Sequence, residues 1–86
     1  MTFVEWLMSR VDKLSRNNKR VLLRELKLNL VEFQRCIAQQ IRNSWWREYF
    51  VDNWGYAMSI NSEEAASEFA SQLREKFAQE LEAIPA

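Results

Sequence analysis

The chain has 86 residues, 48% of them hydrophobic and 28% charged, and its formal net charge is zero. That length holds one domain with a modest core, and that balance excludes wholesale disorder. One glycine, one proline, one cysteine and no histidine exclude a turn-rich β architecture, an internal disulfide, a zinc site and a histidine general base.

The first predicted helix starts at Thr2. Thr2 and Glu5 have the spacing of a capping box, in which hydroxyl and carboxylate each take a backbone N–H of the first turn. Val4, Leu7, Val11 and Leu14 then recur at steps of three and four, widened by Phe3 and Met8. The polar run "SRNNKR", residues 15–20, predicts a break with Ser15 as the next N-cap, although no glycine or proline enforces it.

The second helix is predicted to be the spine, over 19–41. Leu23, Leu26, Leu30, Phe33, Ile37 and Ile41 form its stripe, Leu22 and Cys36 border it, and Leu28 and Val31 sit off it. Apolar surface on more than one face predicts a central position or packing on two partners. Extended over residues 16–42, the helix would be about 40 Å long at ~1.5 Å per residue. That length points to an elongated hairpin or a homodimer.

Asn43 or Ser44 is predicted to end the spine. A third helix follows, carrying Trp45, Trp46, Tyr49, Phe50 and Trp54 at spacings of four. Gly55 is placed to close it as a C-terminal cap. The last helix opens at Asn61, with Glu63 and Glu64 at its positive end and Ile60 as a hydrophobic staple on Ala65. Ala66, Ala70, Leu73, Phe77, Leu81 and Ile84 form its stripe, Phe69 lies beside them, and Pro85 ends it. The expected fold is all-α: one domain over 1–86, a small antiparallel bundle of three to four helices with one long central helix.

Charge is laid out unevenly. Residues 10–47 carry ten bases against three acids, and residues 48–86 carry eight acids against two bases. No apolar run approaches the ~18 residues of a membrane span, and the amino-terminal decapeptide lacks a basic leader and a cleavage site. The lone cysteine fits a reducing compartment, as a small buried hydrophobe. The expectation is a cytoplasmic protein with no membrane partner.

No catalytic constellation, metal site, cofactor site or small-molecule substrate is expected, and the chain reads as a non-enzyme. Pairs such as Glu64 and Glu68 read as solvated helix surface. The stretch "RNSWWREYFVDNWGY" holds six of the eleven aromatic residues. Some of these rings must build the core. Two adjacent tryptophans on a helix cannot both face inward, however, and Trp, Tyr and Arg recur at interface hot spots. Trp45, Trp46, Arg47, Tyr49, Trp54 and Arg42 are therefore the expected partner-binding residues, for a protein partner or a second copy of the chain. The function expected is that of an adaptor, regulator or inhibitor of a larger complex. A second reading uses Arg16, Lys19, Arg20, Arg24 and Lys27 on phosphates, with Trp45 or Trp46 stacking on a base. The neutral net charge weighs against it. A third is a self-assembling structural subunit with head-to-tail charge pairing.

"LSRNNKR" at 14–20, the leucine-rich helix after it and "SWW" at 44–46 resemble a helical bacterial domain family of unknown function, abundant in cyanobacteria. Its members carry a Leu-Gly/Ser-Arg-x-x-Lys/Arg-Arg turn, a leucine-rich helix and a later Ser-Trp. The resemblance covers residues 12–46. It implies an all-helical fold and no particular activity. The histidine and the Lys-Trp pair of that family's leucine-rich helix are absent here.

Overall fold

The structure, a computed structural model, describes residues 1–53 and 60–86. Every regular element among them is helical, so the chain is all-α as expected. Trp54 and the Gly55 cap lie outside the described residues.

Helix α1, Phe3–Asp12, begins with the predicted capping box. Thr2 Oγ1 accepts the Glu5 N–H at 3.2 Å, and the Thr2 N–H donates to the Glu5 carboxylate at 2.9 Å. Such a cap stabilises a helix by about 1 kcal/mol. The break before α2, Arg16–Leu28, is real, and Ser15 caps α2 by accepting the Asn18 N–H at 3.2 Å.

The predicted spine over 19–41 is cut at Asn29. This residue closes α2 and opens α3, Leu30–Gln40, with φ −138° and ψ 57°. Its N–H still reaches the Glu25 carbonyl at 2.9 Å, and its own carbonyl accepts the Phe33 N–H at 2.8 Å. Its side-chain amide also donates to the Glu25 carboxylate at 3.1 Å. An asparagine that can satisfy itself locally competes with helix continuation, and so bends the chain without glycine or proline.

No break occurs at Asn43 or Ser44. Helix α3 runs through a π-helical turn, Ile41–Trp45, into helix α4, Trp46–Asp52. The long helix of the fold therefore spans 30–52, about 35 Å at ~1.5 Å per residue, along a molecule of 41 × 23 × 19 Å. The π turn accommodates one extra residue and turns everything beyond it back by about 100°. In unbroken α register the stripe of Ile37 and Ile41 would continue into Glu48. With the extra residue it continues into Tyr49, which is 8% exposed. Trp46 compensates the disturbed ladder. Its backbone N–H goes to Ile41, and its indole N–H takes the vacated Arg42 carbonyl at 2.9 Å.

Helix α5, Ser62–Lys76, is capped by Asn61 Oδ1, which accepts the Glu64 N–H at 3.0 Å. Its partners are α1, α2, α3 and α6, Ala78–Glu82, so α5 and not the predicted spine is the hub. Ala65, Ala66 and Ala70 let the neighbours approach closely, and Phe69 and Leu73 fill the space between. Phe33 of α3 stacks on Phe69 with ring centroids 6.3 Å apart. Leu26, Ile41 and Leu73 are the most completely enclosed large side chains. Each such side chain contributes about 1.5–3 kcal/mol by leaving water. The predicted last helix deviates at Phe77, where α5 ends and α6 begins. Lys27 of α2 fastens α6 by donating to the carbonyls of Leu81, at 2.6 Å, and Ile84.

Candidate functional site

The aromatic segment is built mainly as a clasp. Phe3 and Trp6 of α1 surround Tyr49 of α4, with Tyr49 centroid distances of 5.2 and 5.7 Å and edge-on geometry. The Tyr49 hydroxyl donates to the Met1 carbonyl at 2.8 Å. The Trp6 indole donates to Asp52 at 2.9 Å. Arg10 meets Glu48 at 3.1 Å and lies 4.8 Å from the Trp6 ring and 5.9 Å from the Trp45 ring. Rings at these distances add about 0.5–1.5 kcal/mol per pair beyond burial.

The expected partner-binding residues therefore separate. Tyr49 is a core residue, corrected from a surface one. Arg42 is exposed but engaged by its own chain, donating to the Ser62 hydroxyl at 2.9 Å and the Glu63 carboxylate at 2.6 Å. The Glu63 carboxyl lies below the ordinary carboxylate range, because of its own backbone N–H first, then the Ser62 hydroxyl and Arg42. Trp46 is half-buried, edge-on to Phe50 at 5.4 Å. Arg47 is exposed, 5.4 Å from the Trp46 ring. Trp45 is half-buried, and Trp54 lies outside the described residues.

The basic set separates too. Lys27 is occupied by the α6 carbonyls, and Lys19 is half-buried, 5.9 Å from the Phe77 ring. Arg16, Arg20 and Arg24 are exposed at steps of four and form no ion pair among the described residues. Cys36 is exposed, which corrects the expectation of a buried thiol. Partial desolvation on the helix surface, then its contact with Glu32 at 3.6 Å, push that thiol up, away from nucleophilic thiolate chemistry.

Between α1 on one side and α2 with α3 on the other lies a groove of about 1130 Å³. Phe69 of α5 contributes to its floor, and Trp45, Glu48 and Asp52 close one end. Leu7, Val11, Leu22, Phe33 and Ile37 give it apolar sides, and Lys13, Leu14, Val21, Glu25 and Glu32 are also among its lining residues. The same surface carries two of the large exposed apolar side chains, Val21 at 60% and Leu14 at 37%. Among the described residues of the expected partner-binding set, Trp45 alone lines this groove.

Sequence reasoning passed over Trp6, Asp52 and Val21. The spacing of Phe3, Trp6 and Arg10 marks a polar-aromatic edge on α1. Val21 and Leu28 stand seven residues apart on α2 as an exposed apolar pair, and Leu14 lies in the turn before that helix.

Among the described residues there is no group of metal-ligating side chains, and no helix is long and apolar enough to cross a membrane. Comparison with family models, with curated proteins and with solved structures found no match to this chain.

Proposed function

We propose that this is a non-catalytic interaction protein whose working surface is the groove between α1 and the α2–α3 wall. One observation carries the reading. A groove of about 1130 Å³ with an apolar floor and exposed aliphatic side chains opens on a domain of only 86 residues. Grooves between helices commonly take an amphipathic helix, whose apolar face replaces water on the groove floor. The adjoining π turn supports the reading, because such turns gather at functional sites. The contact centres on Val21, Leu22 and Trp45, not on the whole tryptophan-rich segment.

The test is photo-crosslinking in the cell of origin. A benzoylphenylalanine at Val21 forms discrete adducts, whereas one at Gln79, on exposed α6, does not. Equal labelling from both positions, or none from Val21, would contradict the groove as the working surface.

A second reading rests on Arg16, Arg20 and Arg24, which present three cations along one exposed face of α2. Phosphates of a nucleic acid are the corresponding ligand, and heparin retention that falls steeply with salt is its signature. Triple replacement by glutamine would abolish that retention.

A further inference from the structure

We infer that the exposed face of α2 enters the major groove of duplex DNA, with Asn17 and Arg24 on base edges and Arg16 and Arg20 on phosphates. This rests on the arginine reading above and names its ligand.

Helix α2, Arg16–Leu28, holds five bases and one acid. Its inner face is packed, with Leu23 and Leu26 in the core. At about 100° per residue, its exposed residues fall into two neighbouring rows. Asn17 and Arg24, seven residues apart, stand in the row that points away from the core. Arg16 and Arg20, four residues apart, stand in the row beside it. The one acid, Glu25, stands on the other flank, where it lines the groove and accepts the Asn29 amide.

The arginines are free to meet anions. Arg16, Arg20 and Arg24 form no ion pair among the described residues. Arg16 also lies in the first turn of α2, where the amide dipoles present positive charge and no acid offsets it. A cation at that end is unfavourable for the helix alone, and a phosphate against it relieves the repulsion.

The two rows select which polyanion. A helix of about 10–12 Å diameter fits the ~12 Å major groove of B-DNA, and not the deep, narrow one of A-form RNA. Single strands are gripped by stacking on aromatic rings, and α2 carries none. Arginine makes two-point contacts with guanine O6 and N7, and asparagine with adenine N6 and N7. A lipid headgroup offers neither pattern. Asn17 and Arg24 are about 10 Å apart along the helix, which is about three base steps of ~3.4 Å.

The experiment is selection from a random duplex pool by the purified chain at about 50 mM salt, followed by fluorescence anisotropy on the selected duplex. The selected duplexes carry an adenine and a guanine about three steps apart. Log affinity falls against log salt with a slope of about −2, from two phosphates at roughly −0.9 each. Arg20→Gln weakens every duplex alike and reduces that slope by about 1. Arg24→Gln removes a preference for guanine on the order of tenfold. Both variants keep the wild-type circular dichroism spectrum, since both side chains are exposed. No enrichment from the pool, a guanine preference that survives Arg24→Gln, or equally tight binding of single strands or phosphatidylserine vesicles would overturn the inference. In that event, heparin retention that the triple glutamine variant abolishes leaves the phosphate reading standing, and absence of retention removes both.

Discussion

Two apolar regions of this molecule stand in contrast. At the α1–α4 end, Phe3, Trp6 and Tyr49 enclose one another, and each polar tip of that cluster has a partner within the chain. On α2 and the turn before it, Leu14, Val21 and Leu28 are exposed. The first region holds the conspicuous residues and the second the ordinary ones. Aromatic density alone did not mark the free surface. A large ring that supplies much of a small core is a poor candidate for exposure, whereas Val21 is 60% exposed on the lining of an apolar groove.

The contrast breaks most visibly at Trp6. Trp6→Ala removes a ring packed on Phe3 and Tyr49 and orphans Asp52. It should lower unfolding free energy by about 3–5 kcal/mol, read as a urea midpoint shift at constant slope. In so small a domain this leaves little native population. A loss under about 1 kcal/mol would mean that the clasp is not part of the core. Tyr49→Phe is the finer cut. It keeps the ring and removes one hydrogen bond to the Met1 carbonyl, for a loss of about 1 kcal/mol by the same titration.

Acid sharpens the contrast from another side. Glu5, Glu32 and Glu63 all have carboxyls held below the ordinary range, by Thr2, by Arg35, and by the Glu63 N–H, Ser62 and Arg42 respectively. The unfolded chain therefore binds more protons than the folded one between the two pKa values, and stability falls as pH drops below the ordinary carboxylate value. The thermal midpoint should decline from pH 6 to pH 3, and less so in Glu63→Gln. A flat profile would deny those carboxylates their folded-state partners. The smallest stability effect belongs to the exposed face of α2. Val21→Asp should change unfolding free energy by no more than about 0.5 kcal/mol, because it sits in water.

Much of this fold was legible in the sequence. The caps at Thr2, Ser15 and Asn61 are local devices written in three or four residues, and they stand where the spacing puts them. The all-helical class follows from the stripes and the scarcity of glycine and proline. Two features were not legible. Asn29 bends the chain through its own side chain, a choice that an unbroken leucine stripe conceals. The π turn shifts register by one residue, so a 3.6-residue count past Ile41 points at the wrong side chains. That shift turns Tyr49 from an expected contact residue into a core one and leaves Trp45, alone among the described residues of the set, on the groove. Lys27 and Arg42 were likewise counted as free cations. Their partners lie 54 to 57 and 20 to 21 residues further along, a distance at which spacing carries no signal.

The most direct measurement is a two-dimensional NMR titration of the isotope-labelled chain with unlabelled lysate from the cell of origin, following valine and leucine methyls together with the indole N–H groups. Val21 and Leu22 methyls, which line the groove, should move on titration, while the Trp6 and Trp46 indole signals stay fixed. Indole signals that move while the Val21 methyls stand still would contradict the assignment, and would return the working surface to the tryptophan segment.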